Sequence, residues 1–133
     1  MNSDVRWQQR FDNYRNAFAR LETALGIEGP SVTEQAGIIQ FFEVSFELAW
    51  KVLKDFLVAE GFEVKSPREA IKTAFQSGYI HQGELWIHAL DSRNLSVHTY
   101  DEAMAAELTE NIRTLYFPIL MGLKEWGELQ IKR

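Results

Sequence analysis

Cysteine is absent from the 133 residues. Disulfides and thiolate-bound metals are excluded with it, and a reducing compartment is the expected setting. Proline occurs three times and the eight glycines are scattered, so no linker, repeat or low-complexity tract divides the chain. Residues 1–133 read as a single domain. No run of 18 apolar residues is present to cross a bilayer, and the opening MNSDVRWQQRFDNYR lacks the apolar centre of a signal peptide. The expectation is a cytoplasmic protein without membrane contact. Positive charge is also scarce, with a formal net charge of -5. Proteins that grip long nucleic acid through many phosphates are normally basic. Any contact with RNA or a nucleotide is therefore expected at one small site, or with a partner's help.

What is present is apolar and helical. Hydrophobic residues make up 46% and charged residues 25%, enough to bury a core and too many apolar groups for disorder. Trp7, Phe11, Tyr14, Phe18, Leu21 and Leu25 recur every three or four residues, which places them on one stripe of a helix ended by Gly26 and Gly29-Pro30. Ser31 with Glu34 has capping-box spacing and opens a second helix that runs to Gly61. One stripe of it holds Phe42, Phe46, Trp50, Leu53 and Leu57. Phe41, Val44, Leu48, Val52 and Phe56 fill much of the rest. A helix apolar on two sides is either central in its bundle or buried against another chain.

Ser66-Pro67-Arg68-Glu69 signals a short third helix ending at Gly78, and a fourth is expected over Gly83 to Asn94. Thr99 and Glu102 mark the start of the last, with a seam of Met104, Leu108, Ile112, Leu115, Ile119 and Leu123. Pro118 should kink it. Nothing alternates with period two. The expected fold is all-α, an up-and-down helical bundle of about five helices, three long and two short. Tyr79, Ile80 and Trp86 are candidates for an exposed partner patch, with burial favoured for Trp86.

Chemistry concentrates in Arg93-Asn94-Leu95-Ser96-Val97-His98-Thr99-Tyr100. On an unbroken helix Arg93 and His98 would point about 140° apart. A helix break between them would instead gather a guanidinium, an imidazole and a phenol at one corner. That set suits phosphodiester cleavage without a metal. His98 moves a proton at a ribose 2′-hydroxyl or a leaving oxygen, Arg93 stabilises charge on phosphorus, and Asn94 orients phosphate or imidazole. One histidine serves poorly as acid and base together, so a two-fold dimer contributing a second His98 is expected. On pattern alone the same residues could be structural, with Arg93 complementing a helix C-terminus. Arg68 and Lys72, one turn apart, are further candidates to bind phosphate. Glu43 and Glu47 are also one turn apart, with Lys51 beyond. A carboxylate-bridged metal bundle needs Glu-x-x-His pairs, which the sequence lacks, so no metal and no cofactor are expected. Glu47 and Lys51 read as a solvated helix pair.

RNLSVHTY resembles the Arg-x4-His-x-Tyr motif of the HEPN superfamily. WQQRFDNY, FFEVSFELAWKVLKDFL, SPREAIKTAF and GELWIHALDSRNLSVHTYDE, in that order, resemble its nucleotidyltransferase substrate-binding-protein branch, which includes the HepT-like toxins. The likeness spans nearly the whole chain. Lys72 stands where that family often has arginine, which keeps the charge. The resemblance implies a HEPN-like bundle that forms a homodimer, paired with a small nucleotidyltransferase encoded nearby in a toxin-antitoxin module. It implies an endoribonuclease that uses Arg93 and His98 and is neutralised by AMP transfer to Tyr100. An alternative is a non-catalytic, nucleotide-binding subunit that presents substrate to the nucleotidyltransferase.

Overall fold

A computed structural model describes residues 3–96 and 101–132. The described residues form six α-helical segments packed as a bundle, and they contain no strand. The segments are α1 (Ser3–Leu25), α2 (Val32–Ala59), α3 (Pro67–Gln76), α4 (Gly83–Ser96), α5 (Glu102–Asn111) and α6 (Phe117–Ile131). A π-helical turn, Ile112–Tyr116, joins α5 and α6 into one interrupted rod. The bundle therefore has three long helical rods and two short helices, as the periodicity predicts.

Each boundary has a local cause. Ser31 accepts the Glu34 amide at 3.1 Å while Glu34 accepts the Ser31 amide at 2.9 Å, a complete capping box. Ser66 caps α3 in the same sense, but Glu69 reaches back to the Lys65 amide rather than to its own cap. α2 ends in a Schellman turn: the Phe62 amide donates to Leu57 and the Gly61 amide to Val58. Gly61 holds φ at 97°, and Gly78 closes α3 likewise at 81°, a region that a Cβ disfavours. At α5 the cap is Asp101, whose Oδ1 accepts the Met104 amide at 2.8 Å. This corrects the expected start at Thr99, which lies outside the described residues. α4 also runs two residues beyond Asn94, to Ser96.

Every residue of the α1 stripe is buried. α2 touches α1, α3, α4, α5 and α6, which accounts for its two-sided apolarity within one chain. On its second face Val52 and Phe56 are buried, Phe41 and Leu48 are half-buried and Val44 is exposed. The seam of the last rod differs from expectation. Met104 and Leu115 are exposed, and the buried line runs Ala105, Thr109, Ile112, Tyr116, Ile119, Leu120 and Leu123. Pro118 has no amide to donate, and its ring would press on the carbonyl four residues back. The chain answers with the π turn just before it, in which the Phe117 amide reaches Ile112. Trp86 and Ile80 are buried, and Tyr79 packs edge-on against Phe56 and Trp126, so the three do not form an exposed patch.

Two polar ties cross the core. The Arg113 guanidinium donates to the Leu25 carbonyl and so caps α1. Tyr14, wholly buried, donates its hydroxyl to the Leu120 carbonyl at 2.6 Å. Burial raises the Tyr14 phenol well above its ordinary range. An unfolded phenol titrates near pH 10. The contribution of Tyr14 to stability is then complete below about pH 10 and is lost as pH climbs towards the folded value. Tyr14→Phe should cost about 0.5–1.5 kcal/mol at neutral pH. Denaturant titrations at rising pH should show the variant losing less stability than wild type above about pH 10. An identical alkaline loss in both would remove Tyr14 as its source.

Candidate functional site

α2 and α4 meet through two rungs. Glu43 and Glu47, one turn apart on α2, reach the last turn of α4. Glu43 Oε2 accepts the Ser96 hydroxyl at 2.6 Å. Glu47 Oε2 lies 3.4 Å from Arg93 Nη2 and accepts the Trp50 indole N–H at 3.0 Å. Lys51 Nζ approaches the other Glu47 oxygen at 3.4 Å. The solvated Glu47–Lys51 pair is thus present, but the same carboxylate also positions Arg93. Sequence spacing displays neighbours within a helix and is silent about this cross-helix contact. Its sole trace is a pair of glutamates at i, i+4 on an otherwise apolar helix.

Arg93 is half-buried, with its side chain 28% exposed. Its Nη1 donates to Asn94 Oδ1 at 3.4 Å, so these two predicted residues come together. Its Nε is buried and has no hydrogen-bond partner among the described residues. A guanidinium has five N–H donors in a fixed fork, and here the fork is only partly engaged. His98 and Tyr100 lie outside the described residues. α4 ends three residues past Arg93, and Asp101 is extended where it caps α5, so the chain does break its helix between Arg93 and the start of α5.

Arg68 and Lys72 stand on α3. Arg68 Nη2 donates to Asp91 of α4 at 2.8 Å, an exposed pair, while Lys72 lines an apolar hollow with Phe75, Glu84 and Ile87. Their side chains face different neighbours rather than one anion.

A cleft of about 220 Å³ lies between α4 and α5. His88, Ser92, Leu95 and Ser96 line it from α4, and Met104, Ala105, Glu107, Leu108 and Asn111 from α5. A hydrogen-bonded chain runs along one side. Ser92 Oγ and the Tyr116 hydroxyl are 2.7 Å apart, and that hydroxyl is 3.0 Å from His88 Nδ1. Burial holds the Tyr116 phenol above its ordinary range, against the lowering effect of the Ser92 hydrogen bond and with a further push from the Asp91 charge. It therefore remains a neutral donor at physiological pH. His88 is exposed and polar in its contacts, where the sequence suggests apolar surroundings. Ser92 and Tyr116 carry no sequence signal for this role, since Tyr116 enters the cleft side only through the π turn.

Comparison with known proteins agrees with this architecture. A crystal structure of a Thermus thermophilus protein superposes with a TM-score of 0.75 at 32% identity, covering 90% of this chain and 99% of that one. A protein of Haemophilus influenzae named "Probable ribonuclease HepT" is 30% identical over 84 residues, which are 57% of this chain and 58% of that relative. The chain thus spans a little over half the length of that curated relative. Residues 9–126 match the family described as nucleotidyltransferase substrate binding protein like. The chain belongs to that family, a branch of the HEPN superfamily.

Proposed function

We propose that this chain is the HEPN half of a two-gene module with a small nucleotidyltransferase encoded nearby. As a homodimer it cleaves RNA without a metal, and AMP transfer to Tyr100 silences it. The observation that carries the reading is Arg93, a half-buried guanidinium held by Glu47 with its Nε unpartnered among the described residues, shortly before the corner bearing His98 and Tyr100. A cation fixed in this way matches a phosphate better than a free surface arginine does, because less side-chain freedom is lost on binding. The Haemophilus relative's name adds weight in the same direction.

In the cleavage step the ribose 2′-oxygen bonds to phosphorus and the phosphorus–5′-oxygen bond breaks. One His98 takes the 2′-hydroxyl proton, and the His98 of the second copy gives a proton to the departing 5′-oxygen. Arg93 stabilises the charge that builds on the phosphoryl oxygens. The products are a 2′,3′-cyclic phosphate and a 5′-hydroxyl. In the silencing step the Tyr100 phenolic oxygen attacks the α-phosphorus of ATP and pyrophosphate leaves. The nucleotidyltransferase supplies the base that takes the phenol proton, whose pKa near 10 makes help necessary. The attached AMP then sets a phosphodiester beside Arg93, in the place of substrate phosphate.

A second reading, a non-catalytic subunit that presents nucleotide to the nucleotidyltransferase, is favoured by one fact: Arg93 is already ion-paired within the chain. Two measurements separate the readings. Purified protein with RNA and chelator should yield fragments ending in cyclic phosphate. Incubation with the neighbouring nucleotidyltransferase and ATP should add whole AMP units at Tyr100 and stop that cleavage. Intact RNA with the unmodified protein, together with nucleotide-dependent binding to the partner, would establish the second reading instead.

A further inference from the structure

We propose that the cleft between α4 and α5 is a base-selection pocket. It takes one unstacked nucleobase with an exocyclic amine, adenine, cytosine or guanine, and discriminates against uracil. The proposal rests on the ribonuclease reading in one respect: the base belongs to the RNA strand whose phosphate meets Arg93.

Size sets the class of ligand. Sites for drug-sized molecules enclose roughly 300–1,000 Å³. At about 220 Å³ this cleft has room for a single ring system and not for a whole nucleotide. Its walls are apolar and come from facing helices: Ile39 and Leu95 on one side, Met104 and Leu108 on the other. Leu95 is 60% exposed and Met104 42% exposed, unusually open for large apolar groups at a concave surface. A flat base with apolar faces would cover both. Single-stranded RNA is read in this manner, by splayed bases stacked on side chains and hydrogen-bonded at their edges.

The polar groups decide which base. Asn111 ends α5 inside the cleft, and its carboxamide has no hydrogen-bond partner among the described residues. It offers an acceptor beside two donors, the pattern that pairs with an amine next to a ring nitrogen. Two carboxylates, Asp101 and Glu107, stand among the lining groups. The Met104 amide takes only one Asp101 oxygen, which leaves the other as an acceptor. Carboxylates accept from the cytosine and adenine amines and from the paired N–H groups of guanine. Uracil presents a carbonyl where cytosine has its amine, and that oxygen would face negative charge without a donor. The same carboxylates repel phosphate, so a base and not the backbone is the fitting occupant. Ser92 and His88 complete the lining, tied through Tyr116 so that the His88 Nδ1 is already engaged.

The test uses nucleosides, which carry no phosphate and so draw nothing from Arg93 or from catalysis. Amide shifts of the protein are followed on titration with adenosine, cytidine, guanosine and uridine. Shifts should centre on Leu95, Met104, Leu108 and Asn111, with uridine binding at least about tenfold more weakly than the tightest amino nucleoside. Asn111→Leu should abolish the preference. Glu107→Gln, at an exposed position, should narrow it if the first variant fails to fold. Equal uridine binding, shifts elsewhere on the bundle, or an unchanged preference in both variants would overturn the pocket. Cleavage sites on a mixed-sequence RNA are mapped separately. Cleavage without regard to base would also overturn it. Complete absence of cleavage alongside selective nucleoside shifts would refute the ribonuclease reading and leave the pocket standing.

Discussion

His98→Ala is expected to slow RNA cleavage by a factor of about 10²–10⁴, the usual contribution of a positioned proton-transfer group. Arg93→Ala should cost about 10²–10³, as loss of one strong charge-stabilising donor does. Arg93→Lys should fall between wild type and alanine, because it keeps the charge and loses the fork. The informative contrast is with thermal stability. The Arg93–Glu47 pair is partly exposed, and pairs of that kind contribute roughly 0–1 kcal/mol. Glu47 also retains Trp50 and Lys51 when Arg93 is gone. Arg93→Ala should therefore shift the melting temperature by only a few degrees while cleavage collapses. The opposite pattern, full cleavage with a large fall in melting temperature, would make Arg93 a strut between α2 and α4 and end the catalytic assignment. Mixing His98→Ala protein with an excess of wild type should also depress the wild-type rate if both copies of His98 serve one cut. Simple additivity of the two preparations would show that each copy works alone.

How much of this is legible in the sequence depends on whether the signal lies within one helix or between two. The α1 stripe is fully readable because burial repeats at the helical period. The Ser31 and Ser66 caps are readable because their partners sit three residues away. Asp101 escapes notice because Thr99 with Glu102 has equally good spacing, and sequence alone does not rank two neighbouring caps. Leu115 falls in the expected seam only if the α-helix is uninterrupted. The π turn ahead of Pro118 changes the phase and brings Tyr116 inward to meet His88 and Ser92. The candidate site divides in the same way. Arg93 and Asn94 stand out through their motif. Glu43, Glu47 and the Ser92–Tyr116–His88 chain act across helices and leave no local pattern to find.

Gly127 is the clearest instance of a residue whose meaning lies in its neighbour, and Gly127→Ala is expected to be the most damaging single methyl in the protein. In a helix interior alanine normally stabilises by about 1 kcal/mol over glycine. Here the added Cβ would sit 2.1 Å from Phe11 Cε1 and 2.3 Å from its Cζ. Carbon atoms are at rest near 3.5–4.0 Å, so either α6 retreats from α1 or the ring turns. The ring has nowhere to go. Phe11 is wholly buried between Trp7 and Tyr14, with ring centroids 6.3 and 6.0 Å away. Overpacking a tight core costs about 1–3 kcal/mol, and this contact belongs at the upper end. The melting temperature should fall on the order of 10 °C. Gly122, on the same helix, supplies the control, since a Cβ there meets nothing within 4 Å. Gly122→Ala should leave stability unchanged or raise it by up to about 1 kcal/mol. Phe11→Leu combined with Gly127→Ala should lose less than the sum of the two single changes, because the smaller side chain removes the clash. If instead both glycine variants melt together, or the double change is additive, the close approach of α1 and α6 at Phe11 is not what fixes glycine at 127.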